Sequence, residues 1–385
     1  MTTVDSTLAV DLKSHFATVE DPRDGPAQLH NLLDIMIIAI CAVICGANAW
    51  TEVEAFGQAK AEWLGTFLEL PHGIPSHDTF GRVFRHLDPV VFETCFREWT
   101  QAVQAHTAGQ VIALDGKCVR RSGDALLGKA AIYMVSAWAT ADHLVLGQRK
   151  VAEKSNEITA IPELLQVLDV SGCIVSIDAI GTQKTIAAQV VAQDGDYMLA
   201  VKDNQPHLRE DIQNLFAWAE RVGYADIQHA HWQTTNKGHG RIEIRDCWTI
   251  SDPSCIAMLA DWEAWEQLQT VVRIRAQRIN HGQTSIEERY YISSIPDQAA
   301  RTAQQALSAV RQHWGIENQL HWVLDMAFRE DECCVRKDHG DENLAVLRHI
   351  ALNQLNQDTT TRLGVHGKRL KAGWDTDYLS RLLGI

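Results

Sequence analysis

Two short apolar runs, Val-Ile-Ala-Leu at 111–114 and Cys-Ile-Val-Ser-Ile at 173–177, each stop at an aspartate, Asp115 and Asp178. Such runs, bounded by polar residues, read as buried strands. A carboxylate at the C-terminal edge of a strand is poorly placed for packing and well placed to hold a metal. The structural alternative is an aspartate that caps a turn, common before glycine, and Gly116 follows Asp115. Two such aspartates on central strands of one sheet tip the balance towards a site.

The surrounding pattern predicts how the strands are framed. Residues 1–108 read as helical: Leu32, Leu33, Met36, Ile37 and Ile40 have helical spacing, and Asn31 is a candidate cap. A helix starts at Ser76, and another follows the Asp88-Pro89 break. From residue 110 the order becomes strand (111–114), strand (131–139), strand (143–151), helix (157–168), strand (173–177), helix (182–193), strand (196–201), helix (206–222). That order predicts an α/β, ribonuclease-H-like catalytic core. Alternating segments at 229–234, 241–249, 268–275 and 288–293 predict a β-rich insertion, with turns at Gly238-His239-Gly240 and Asn280-His281-Gly282. Residues 299–329 return to helix without a proline, 342–357 form another helix, and the chain closes on a short basic stretch around Lys368, Arg369 and Lys371. The expected domains are therefore an N-terminal helical domain (1–108), the core's first part (109–223), the insertion (224–298), the core's second part (299–357) and a C-terminal tail (358–385).

Glu317 lies in the 299–329 helix among Trp314, Ile316 and Trp322. A helix this apolar is largely buried, so its carboxylate needs a partner. Asp325 is a rival, eight residues or roughly 12 Å further along. It would replace Glu317 in a site rather than share it. Magnesium takes hard oxygen ligands and keeps several waters, so few carboxylates suffice, and two metals about 4 Å apart serve phosphoryl transfer. No Ser/His/Asp motif or phosphate loop competes, and Cys333, Cys334 and His339 lack a zinc spacing.

The net charge of −14 counts against broad nonspecific affinity for nucleic acid. Residues 1–110 hold six Lys/Arg against fourteen Asp/Glu. Any phosphate contact must therefore use local basic patches. Nine cysteines without a CxxC pair, and an N-terminus without a signal pattern, fit a cytoplasmic protein. The apolar run at 32–47, interrupted by Asp34, is too short for a confident membrane span and suits a core helix.

The chain resembles bacterial insertion-sequence transposases of the DDE superfamily, in the H-repeat-associated, ISAs-type subgroup, over nearly its whole length. The resemblance rests on Glu20-Asp21-Pro22-Arg23, Ser76-His77-Asp78-Thr79-Phe80, Ala113-Leu114-Asp115-Gly116-Lys117, Ile177-Asp178-Ala179, Lys202-Asp203-Asn204-Gln205, His239-Gly240-Arg241 with Glu243, and above all His313-Trp314-Gly315-Ile316-Glu317-Asn318 with Leu320-His321-Trp322-Val323-Leu324-Asp325. It implies a catalytic, metal-binding triad of Asp115, Asp178 and Glu317. It also implies two Mg2+ per active site, with Mn2+ as the substitute, and DNA as partner: terminal inverted repeats, target DNA and a homodimer assembled on them, with no membrane. The wider superfamily places tyrosine and arginine before the glutamate and lysine after it; here those positions hold Val310, His313 and Leu324. His313 stands where the arginine would, with Arg311 nearby. Related hairpin-forming transposases hold a flipped base on an insertion tryptophan, for which Trp232 and Trp248 are candidates.

Further candidates for DNA contact come from position. Lys117, Arg120 and Arg121 follow the first aspartate, Lys202 ends a strand, and Arg241 and Arg245 share a strand face. Arg82 and Arg85, on the helix after Ser76, are candidates for reading the element ends. Two rivals to the transposase reading stay open: a ribonuclease-H-like nuclease with another substrate, and a catalytically silent DNA-binding relic.

Overall fold

The computed structural model describes residues 12–25, 28–104, 109–123, 130–151, 157–238, 240–280 and 283–385. Helices α1 (Leu12–Phe16), α2 (Leu32–Ile44), α3 (Trp50–Ala59), α4 (Ala61–Leu64), α5 (His77–His86) and α6 (Pro89–Val103) precede strands β1 (Val111–Val119), β2 (Ile132–Ala139) and β3 (Leu144–Val151). Then come α7 (Glu157–Gln166), β4 (Ile174–Ile177), α8 (Lys184–Ala192), β5 (Asp196–Val201) and α9 (Pro206–Arg221). Strands β6 (His229–Gly238) and β7 (Arg241–Ile250), helix α10 (Pro253–Ile256), and strands β8 (Thr270–Asn280) and β9 (Gln283–Ser293) follow. Helices α11 (Ala300–Gly315), α12 (Trp322–Ala327), α13 (Gly340–Gln357), α14 (Val365–Trp374) and α15 (Thr376–Leu383) end the chain. Among the described residues the strands hydrogen-bond in the order β3-β2-β1-β4-β5-β9-β8-β7-β6, a mixed α/β fold around a nine-stranded sheet.

Two compact units divide the chain: Met1–His106, Gly116–Lys154 and Glu317–Ile385 form one, and Thr107–Asp115 with Ser155–Ile316 the other. In the first, α2 is apolar all round and almost wholly buried, as a core helix must be. It packs on α13, which is buried along most of its length. Several polar groups that this burial traps find partners. Asp34 in α2 accepts from the Leu70 N–H (2.9 Å), and Asn343 in α13 donates to the Phe84 and Leu87 carbonyls (2.7 and 2.9 Å). Asn353, further along α13, accepts from the Val145 N–H (2.8 Å) and donates to the Val145 carbonyl (2.9 Å) on β3, the terminal strand of the sheet order. From α6, Glu93 accepts from the Gln148 N–H of the same strand (3.5 Å).

In the second unit β1, β4 and β5 run parallel, and β9 joins β5 antiparallel. The long strands β9, β8, β7 and β6 form a meander, so the predicted insertion continues the sheet begun by β1, β4 and β5. The turns read at 238–240 and 280–282 fall partly on His239, His281 and Gly282, which lie outside the described residues. Helix α11 covers one face through Ala303, Ala306, Leu307 and Val310, a helical repeat set against Cys247, Val272 and Ile274.

Three local expectations come out differently. Asn31 makes no side-chain cap on α2; its amide donates to Glu69 instead (2.6 Å). The predicted continuous helix over 299–329 is α11 and α12 joined by a π-helical turn, Ile316–His321. The closing residues, read as a short basic tail, form α14 and α15. Asp375 caps α15 at the Tyr378 N–H (3.0 Å), and Gly384 ends it in the left-handed conformation. Lys368 and Arg369 are buried there, donating to the carbonyls of Leu355, Asp358, Val43 and Ala327.

Candidate active site

The parallel register sets Leu114 of β1 beside Ile177 of β4, so Asp115 and Asp178 each follow a residue of the last parallel pair. Asp115 belongs to β1, and Asp178 stands one residue past β4. The Asp178 carboxylate accepts from the Ile180 N–H (3.0 Å) and so caps the 3-10 turn Ala179–Gly181. The turn-capping alternative therefore holds for one of its oxygens.

Glu317 is the second residue of the π turn. Its Oε2 lies 3.5 Å from Nδ1 of His321, four residues on; Glu317 is half-exposed and His321 buried. π turns within α-helices insert a residue into the ladder and recur at functional sites. Glu317 and His321 thus present a carboxylate and an imidazole side by side on the π turn. A carboxylate and an imidazole are donors that a divalent ion accepts. The oxygens suit Mg2+ or Mn2+, and the ring nitrogen leans towards Mn2+.

Lys117, two residues past Asp115 on β1, points into the fold. Its Nζ lies 2.5 Å from Asp325 Oδ1 on α12 and 2.6 Å from Glu330 Oε2. Burial penalises the ammonium, but Glu330 and Asp325 outweigh it and raise its pKa. Glu330 is fully enclosed. Burial would push its carboxyl up, yet Lys117 and Arg348 hold it down at about 2. Arg348 Nη1 lies 3.5 Å from its other oxygen. Burial lowers the neighbouring His349 to about 4. Asp325, the rival carboxylate, is thus engaged by Lys117.

The remaining candidates are spread out. Arg120 is exposed and pairs with Asp331 (3.3 Å), and the Arg121 carbonyl accepts from Arg336 (2.7 Å). Lys202 is exposed just beyond β5, Arg311 is exposed on α11, and His313 sits in that helix's last turn. Arg241 and Arg245 both meet Glu243 on β7. Arg85 pairs with Asp338 (3.8 Å), while Arg82 is exposed on the same helix, α5. Trp248 stacks on His231 and on the Arg273 guanidinium (4.4 Å from the ring centre), whereas Trp232 is partly exposed. Sequence reasoning missed His321, although its position four residues after Glu317 puts both on one helical face. It also missed Glu330, Arg348 and Arg278, for which no local signal exists.

The transposase DDE domain family matches residues 106–354, and the DDE_Tnp_1-associated family matches residues 13–100. The chain belongs to this family, the insertion-sequence transposases of the DDE superfamily. It is 38% identical over 376 residues to the "H repeat-associated putative transposase YhhI" of Escherichia coli (strain K12), covering 97% of each chain. It is 43% identical over 286 residues to an uncharacterized protein in the dhlA 3' region of Xanthobacter autotrophicus, covering 73% of this chain and 94% of that one. A solved synaptic complex of piggyBac transposase with hairpin DNA aligns with 99% of this chain and 79% of that one, at 11% identity and a TM-score of 0.42, too loosely to carry a conclusion. Among the described residues no helix is long and apolar enough to cross a membrane.

Proposed function

We propose that the protein cuts DNA at the ends of an insertion sequence and joins the freed 3′-hydroxyl to target DNA, using Asp115, Asp178 and Glu317 as its catalytic carboxylates. The observation that carries the reading is the parallel register of β1 and β4, which puts Asp115 and Asp178 each one residue past the paired Leu114 and Ile177, in a chain of the DDE family. The place of Glu317 in the π turn, beside His321, supports the third member. The strand order β3-β2-β1-β4-β5 supports a ribonuclease-H-like core. We take the partners to be terminal repeats, target DNA and a second copy of the chain.

Bound divalent ions, Mg2+ or Mn2+, would polarise the scissile phosphate and lower the pKa of the attacking oxygen. The carboxylates of Asp115, Asp178 and Glu317 would hold them. His321, whose Nδ1 lies 3.5 Å from Glu317 Oε2, would add an imidazole to their donor set. Because both aspartates follow paired strand residues, their positions are fixed by the sheet, and little reorganisation is needed at the moment of reaction.

The test is cleavage of duplex carrying the element's own ends. Asp115→Asn, Asp178→Asn and Glu317→Gln should each abolish Mg2+-dependent cutting while end binding persists. Appreciable cutting by the Asp178→Asn protein would sink the assignment. Strand transfer that requires matched terminal repeats separates a transposase from a nuclease. Absence of divalent-metal binding in calorimetry would mark a silent relic.

A further inference from the structure

Three arginines close on one carboxylate in the β6–β9 meander. Arg241 Nε and Arg278 Nε each lie 3.1 Å from Glu243 Oε1, and Arg245 bonds Oε2. The geometry follows from register. Arg241, Glu243 and Arg245 alternate along β7 and share a face, and Glu243 pairs across to Arg278 on β8. Burial raises the Glu243 carboxyl, but Arg245 and Arg241 outweigh it and hold it below the usual range, so it stays ionised.

One carboxylate cannot neutralise three guanidiniums. The group carries a charge of +2 in a chain whose total is −14. The Glu243 side chain is 10% exposed, whereas those of Arg241 and Arg278 are 49% and 55% exposed. Each guanidinium has five N–H donors in a planar fork, and Glu243 takes one from Arg241 and one from Arg278. The neighbours in register, Asn236, Asn280, Gln283 and Ser285, are neutral and polar. The next acid on this face, Glu287, is held by Arg289 (2.8 and 3.0 Å).

We infer that Arg241, Arg278 and Arg245, organised by Glu243, form a binding site for the phosphate backbone of duplex DNA. Forked donors held in place beside neutral polar residues match phosphate oxygens, and their charge attracts a polyanion. Arg289, on the same face, stacks on Trp314 (4.9 Å), three residues before Glu317 in sequence. The site deepens the transposase reading and rests on it.

The experiment measures affinity of the full chain for its own end duplex and for an unrelated duplex of equal length. It is run in chelator, so that no cleavage occurs, across 50–200 mM salt. Each lost phosphate contact lowers the slope of log K against log salt by about 0.9. R241A/R278A should therefore lose about 1.8 from the slope, so that the fall in affinity across that range shrinks by about twelvefold, equally for both duplexes. R209A, which removes an exposed arginine on α9, should change neither. A folded double variant with unchanged slope, checked by circular dichroism, overturns the site and leaves the transposase reading intact. A loss confined to the end sequence overturns phosphate contact in favour of base reading. Failure of the unmodified chain to bind either duplex overturns both readings.

Discussion

The ammonium of Lys117 stands 2.5 Å from the carboxylate of Asp325, a partner 208 residues away in sequence. With Glu330 at 2.6 Å, it ties the end of β1 to α12 and to the turn that follows it. Removing one member of a buried ion group leaves the others uncompensated, at a cost of about 3–5 kcal/mol. Lys117→Met should lower stability by that order in chemical denaturation. Lys117→Met with Glu330→Gln should recover part of the loss, since the stranded charge is gone; no recovery would mean that the side chain's packing, rather than its charge, matters.

Acid should weaken the same region in two stages. His349 is held at about 4 in the folded protein against an ordinary value of 6.5, so the unfolded chain binds the extra proton between those values. Stability from this group is complete above pH 6.5 and is lost as pH falls towards 4. Glu330, at about 2 against 4.5, adds a second loss between pH 4.5 and 2. Thermal unfolding measured from pH 7.5 to 4.5 should show the midpoint falling below pH 6.5, and His349→Leu should flatten that upper limb.

Asn353 offers a cleaner hydrogen-bond test. Its amide serves both backbone groups of Val145, and Asn353→Leu leaves both without it. The expected cost is about 2–4 kcal/mol. Hydrogen exchange should quicken at the Val145 amide beyond what the global stability change explains.

His321 should matter for metal choice. His321→Ala is expected to weaken Mn2+ binding about tenfold in calorimetry and Mg2+ binding less, because imidazole is the softer donor. Equal effects on both ions would place His321 outside the coordination sphere and leave it as support for Glu317.

What could be read in advance follows from how local the cause is. Asp196–Val201 is the strand that its own residues predict, because the run is apolar and sharply bounded. β1 was legible only to Leu114; it continues to Val119 because Lys117 is neutralised by Asp325 and Glu330, more than 200 residues away. The same blindness hid the helices after residue 357, where Lys368 and Arg369 look solvated in sequence but find backbone carbonyls in the fold. The two aspartates were legible because each ends an apolar run, and the convergence on Glu243 was half legible. Arg241 and Arg245 share a strand with it, but Arg278 arrives through register across a hairpin. Asp375 and Gly384, a cap and a stop at the proper spacing, were readable signals for α15.

Strand β3 closes one side of the sheet order, and side chains from two helices occupy its backbone: Asn353 at Val145 and Glu93 at Gln148. An open strand border is a template on which another chain can grow, and natural sheets guard against it. The amide and the carboxylate therefore protect solubility as well as stability. A variant that strips them would fail in a concentrated cell by precipitating, before any loss of catalysis could be measured.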